Sequence, residues 1–176
     1  MVTRKVAKRV ASAKRSAKHT DYAFLDIETD WSQRITVIGI YRTGQDPIQW
    51  IAPHFPVDEI RNTLRGTKKF FTYNGSRFDL PVILRQLQVD LEKEFRHQDL
   101  MFDCWARSLY GGLKRVETAL GIHRDTEGVD GRVALILWDR YTKNRDKEAL
   151  DLLLRYNRED IVNLETLARK LEIIPQ

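Results

Sequence analysis

Short β-branched runs dominate the first half of the chain, and apolar residues recur at helical spacing through the second. Ala23–Ile27 is an apolar run rich in strand formers and predicts a buried first strand. Arg34–Tyr41 is β-branched and predicts a second. Thr43-Gly44-Gln45-Asp46 has the composition of a turn, so Ile48–Ala52 is expected to return as a third strand, antiparallel to the second. Val57–Leu64 follows a proline and predicts a short helix. Lys69–Tyr73 predicts a fourth strand, stopped by the turn pair Asn74-Gly75.

Phe78–Val89 carries a helical stripe at Leu80, Ile83, Leu84 and Leu87. Asp99–Phe102 suggests a short fifth strand. Helical patterns then take over at Cys104–Tyr110, Leu113–Leu120, Val133–Tyr141, Ala149–Leu154 and Asn157–Leu171. Strands gathered early, one strand–helix–strand alternation and a helical final third predict a mixed α/β sandwich.

Composition narrows the function classes. A chain of 176 residues, 42% hydrophobic and 31% charged, fits one globular domain. No run approaches the ~20 apolar residues of a membrane span. One cysteine, Cys104, excludes an internal disulfide framework, and four scattered histidines make a Cys/His zinc site a poor fit. With no apolar stretch after the first charges to mark a secretory signal, a cytoplasmic location is expected.

The net charge of +5 is uneven. Residues 1–20 hold seven Lys/Arg and no acid, and the remainder is close to neutral at 23 basic against 25 acidic side chains. The chain therefore divides into a basic arm, 1–20, and a domain, 21–176. Such an arm attracts nucleic-acid phosphates. Its composition equally fits a solvated terminus or, less well, an organelle transit peptide.

Candidate chemistry lies in acids from separated segments. Asp26 and Glu28, in Phe24-Leu25-Asp26-Ile27-Glu28-Thr29, are two apart on a strand and leave one face. Asp79 follows Tyr73-Asn74-Gly75-Ser76-Arg77-Phe78, where a helix opens. Tyr156 and Asp160 are four apart on one helical face. Carboxylates gathered without partners repel and take up protons, and hard divalent cations suit them as ligands. Each piece also has a plain reading: two solvated acids at a strand end, an Asp favoured by the helix dipole, a tyrosine above a surface acid. Glu159 falls on another helical face and is expected in solvent.

In order and spacing these segments resemble the DEDD (DnaQ-like) exonuclease superfamily of the ribonuclease H-like fold. Tyr156-x-x-x-Asp160 is similar to its DEDDy subgroup. His97-Gln98-Asp99-Leu100, Gly112–Ile122 and Tyr156–Leu164 look most like YprB-type ribonuclease H-like domains. The resemblance covers about 21–172. It implies a five-stranded mixed sheet of order 3-2-1-4-5 flanked by helices, with Asp26, Glu28, Asp79 and Asp160 holding two Mg²⁺ or Mn²⁺ ions and Tyr156 orienting a water. The implied activity is 3′–5′ exonucleolysis of single-stranded DNA or RNA to nucleoside 5′-monophosphates, with no membrane partner. Candidate substrate contacts are Thr29, Trp31, Asn74 and Arg77. Where the family often has Thr-Gly-Leu, this chain has Thr29-Asp30-Trp31. A structure-selective endonuclease of the same fold and a non-catalytic nucleic-acid-binding module remain the alternatives.

Overall fold

Strand β1 (Tyr22–Thr29) forms the middle of a five-stranded sheet in a computed structural model that describes residues 22–175. The basic arm expected at 1–20 lies outside the described residues. β2 (Ile35–Arg42) pairs antiparallel with β1, and β3 (Ile48–Ile51) antiparallel with β2. On the other side β4 (Lys69–Thr72) and β5 (His97–Asp99) run parallel to β1, giving the order β3-β2-β1-β4-β5.

Alternation along β1 decides what each face meets. Ala23, Leu25 and Ile27 pack with Ile60 and Leu64 of α1 (Val57–Leu64) and with Leu80 and Ile83 of α2 (Asp79–Leu87). Phe24 turns the other way. It packs with residues of α4 (Leu100–Trp105), α5 (Leu113–Ala119) and α7 (Lys147–Lys170), among them Cys104, Val116, Ile161 and Leu164. Asp26 and Glu28 share the parity of Phe24. A third cluster joins Val37 of β2 to α6 (Gly131–Asn144) and α7. α3 (Leu91–Glu94) is a single turn before β5.

Several boundaries differ from the sequence reading. The two helices expected at Ala149–Leu154 and Asn157–Leu171 are one, α7, capped by Asp146, whose side chain accepts the Ala149 amide. Nothing at Arg155 or Tyr156 breaks it, and the apolar stripe passes through unbroken. The strand expected at Asp99–Phe102 ends at Asp99. That carboxylate accepts the Met101 amide at 3.1 Å and starts α4, so the helix begins at Leu100 rather than Cys104. Local capping outweighed strand propensity there. Among the described residues no helix is long and apolar enough to cross a membrane.

Two features of the sheet make room for a site. Pairing of β1 with β4 runs only from Tyr22↔Lys69 to Phe24↔Phe71, and β4 ends at Thr72. The rest of β1 continues past it with amides that need another acceptor. In addition, Gly39 of β2 pairs with Asp26, and α7 comes down on it: a Cβ on Gly39 would lie 2.2 Å from Asn157 Oδ1. Gly39→Ala should therefore lower stability by about 1–3 kcal/mol, the usual cost of overpacking. Chemical denaturation measures it, and a midpoint unchanged from wild type would contradict the close approach.

Candidate active site

The sheet brings the acids of β1 to the end where β4 has already stopped. Asp26, Glu28, Thr29, Tyr73, Asn74, Phe78, Asp79, Tyr156 and Asp160 line one cleft of about 320 Å³. Asp26, Glu28 and Asp160 each present a carboxylate oxygen within 4.8 Å of the other two, close enough for one cation to touch all three. Asp79 sits beside this trio rather than in it. Its Oδ1 accepts the Ile27 amide at 3.0 Å, which satisfies β1 where β4 leaves off.

Each acid is positioned by different physics. Asp26 Oδ2 accepts from Asn157 Nδ2 at 2.8 Å, and Asn157 Oδ1 in turn accepts from Gln49 Nε2 at 2.8 Å. This chain from β3 through α7 fixes Asp26 from above the sheet. Glu28 accepts no hydrogen bond among the described residues. The turn before Asp79 is held by Asp99, whose Oδ1 accepts the Asn74 amide at 2.7 Å and whose Oδ2 accepts the Ser76 amide at 3.0 Å. Asn74 itself takes the positive φ of 64°. Gly75 is needed for a different reason, since a Cβ there would meet Thr72 Oγ1 at 2.3 Å.

Asp160 has a partner the sequence reading did not anticipate. Both Nη atoms of Arg124 donate to its Oδ1, and Nη1 also donates to Glu117 Oε2 at 3.2 Å. Glu159 Oε2 lies 3.4 Å from Arg124 Nε, and Glu159 also accepts from the Asp125 and Thr126 amides and the Thr126 hydroxyl. Glu159 is thus a half-buried anchor for residues 124–126 and not the solvated acid expected. The guanidinium lies 5.5 Å from the Tyr156 ring centroid, and Lys114 Nζ lies 4.3 Å from the same ring. Arg124 follows a turn with no periodicity to flag it. The only trace in the sequence is an arginine shortly after the Gly112–Ile122 segment.

The remaining candidates separate. Thr29 and Asn74 line the acidic cleft. Trp31, 55% exposed, lines a neighbouring groove of about 670 Å³ with Phe55 and Trp138 and does not join the acids. Asp30, where the family often has Gly, accepts the Ser32 and Arg34 amides and closes the β1–β2 turn. Arg77 points to Phe102 and Trp105 instead of the cleft. His97 bonds Thr72 Oγ1 and Glu92, a local role away from the acids.

Burial raises every acid of the cluster. Desolvation is the largest cause for Asp26, with repulsion from Asp79, Glu28 and Asp160 adding to it and Asn157 opposing. Desolvation also leads for Glu28, followed by Asp160 and Asp79, against Lys114 and Arg124. Asp79 is pushed up to about 7 by burial against the Ile27 hydrogen bond. Asp160 also reaches about 7 by burial, although Arg124, Lys114 and a hydrogen bond with Tyr156 pull it down. Burial and the three nearby acids raise Tyr156, so its phenol stays protonated at neutral pH. Oxygen donors, little internal neutralisation for Asp26 and Glu28, and three converging oxygens fit a hard divalent cation.

A family model described as RNase_H superfamily (RNase_H_2) matches residues 23–172. The chain belongs to the RNase_H superfamily. Membership supports nuclease activity on nucleic acid. No curated protein matches the chain in sequence. Among solved structures, the family B DNA polymerase from the hyperthermophilic archaeon Pyrobaculum calidifontis is similar, with a TM-score of 0.67 and 17% identity. The match covers 86% of this chain and 24% of the polymerase, so the likeness is one of fold.

The raised acids give the metal-free protein a definite pH dependence. Between roughly pH 4 and 7 the folded state keeps protons that the unfolded chain releases, so stability falls as pH rises through that window. Acids held low, such as Asp30 and Asp146, lose their contribution only below it. In EDTA the melting temperature should be lower at pH 8 than at pH 5.5, and Asp79→Asn should narrow the difference. A flat profile would contradict the cluster's electrostatics.

Proposed function

We propose that this domain is a divalent-metal-dependent 3′–5′ exonuclease of the DEDDy type, acting on single-stranded nucleic acid. The observation that carries the reading is the convergence of Asp26, Glu28 and Asp160 oxygens within 4.8 Å, with Asp79 and Tyr156 lining the same cleft. Asp26, Glu28 and Asp160 would hold the first Mg²⁺ or Mn²⁺, and Asp79 would help hold a second with Asp26. When bound, such ions neutralise the scissile phosphate and provide a hydroxide-like water at neutral pH.

The chain's own groups supply the positioning. Asn157 and Gln49 hold Asp26 in one orientation, and Arg124 holds Asp160 by Oδ1 alone. Tyr156, protonated, is a hydrogen-bond donor and orients the attacking water without taking its proton. Thr29 and Asn74 face the terminal nucleotide. In the reaction water adds its oxygen to phosphorus, the P–O3′ bond breaks, and the 3′ oxygen leaves protonated on the shortened strand. The product is a nucleoside 5′-monophosphate.

Arg124 favours a second reading. A guanidinium bound to Asp160 neutralises one acid of the set, as suits a nucleic-acid-binding module without hydrolysis. Incubation of 5′-labelled, 3′-blocked and circular single strands with Mn²⁺ separates the cases. The exonuclease shortens the 5′-labelled strand stepwise and spares the blocked and circular ones. Asp26→Asn should reduce that rate by at least about a hundredfold, the scale on which losing transition-state charge stabilisation acts. Cutting of circles would mean an endonuclease, and retention of all three strands a binding module.

A further inference from the structure

Beside the cleft, α4 turns two aromatic rings away from the core. Leu100 and Cys104 pack inward, while Phe102 is 43% exposed and Trp105 half-buried. The two rings meet edge to face, with centroids 5.6 Å apart. The exposed Arg77 lays its guanidinium over both, 5.4 Å from the Phe102 centroid and 5.2 Å from that of Trp105. Neither ring belongs to a hydrophobic core cluster among the described residues.

This surface is fastened to the catalytic cleft. Asp99 binds the Met101 amide of α4 and the Asn74 and Ser76 amides of the turn. Asn74 and Phe78, on either side of Arg77 in sequence, line the cleft. Because β1, β4 and β5 are parallel, their C-terminal ends share one edge of the sheet. β5 stands two strand spacings from β1, roughly 10 Å. A single strand bound at the acids therefore runs within reach of α4 a few nucleotides on.

We propose that Phe102, Trp105 and Arg77 form a stacking platform for the bases of a single strand, a short way upstream of the 3′ end held at the acids. This rests on the exonuclease reading. Aromatic faces and a planar guanidinium accept any base, and the cation adds attraction for the passing phosphate. A paired strand hides its base faces, so the platform selects single strands.

The test is binding of a labelled twelve-residue oligothymidylate to the full chain in EDTA, where hydrolysis plays no part. An abasic strand of the same length, equal in charge, is measured alongside. Phe102→Ala with Trp105→Ala should weaken binding of the oligothymidylate about tenfold, with the abasic strand affected less than twofold. Phe102→Ala alone, on an exposed side chain, should weaken it in the same sense and serves if the double variant folds poorly. Equal loss on both strands, or no loss on either, would overturn the platform. Base-dependent binding by a protein that never hydrolyses would sink the exonuclease reading and leave the platform standing.

Discussion

Mutual repulsion among buried carboxylates is the constraint around which the domain is organised. Asp26, Glu28, Asp79 and Asp160 stand at one strand end with burial and each other's charge driving them toward the protonated form. Folding tolerates this because each acid but Glu28 has a specific donor: Asn157 for Asp26, the Ile27 amide for Asp79, and Arg124 with Tyr156 for Asp160. Asn157 and the Ile27 amide carry no charge, and Arg124 is shared among Asp160, Glu117 and Glu159, so the cluster keeps an excess of negative charge. Residual charge of that kind is what a divalent cation relieves, so fold and chemistry share one electrostatic problem.

The sheet solves its part by ending β4 early. With β4 finished at Thr72, the second half of β1 is open on one side, and α2 can bring Asp79 to the exposed amide. Gly39 solves another part by letting α7 descend far enough for Asn157 to reach Asp26. Rigid elements therefore hold Asp26, Glu28 and Asp160, and a pinned turn carries Asn74. A site built this way needs little rearrangement to present its oxygens.

Much of this was legible in the sequence because it follows periodicity. A two-residue spacing on a strand placed Asp26 and Glu28 on one face, and a four-residue spacing on a helix did the same for Tyr156 and Asp160. The five strands and their order also agree with what the motifs imply. Partners supplied by tertiary proximity were not legible. Arg124 lies after a helix end with no repeating pattern, and its contacts are to residues 7 and 36 positions away. Gln49 meets Asn157 across 108 positions. Trp31 and Arg77 show the opposite error: nearness in sequence to an acid did not place either side chain in the cleft.

Arg124 makes the account sharply testable, because a guanidinium and a divalent ion both seek Asp160. Crystals soaked with Mn²⁺ and a nucleoside 5′-monophosphate, measured at the manganese absorption edge, would locate any ion directly. The account predicts an anomalous peak in direct contact with the carboxylates of Asp26, Glu28 and Asp160, with the monophosphate alongside. A cluster that stays without a peak while Arg124 keeps its hold on Asp160 would contradict it.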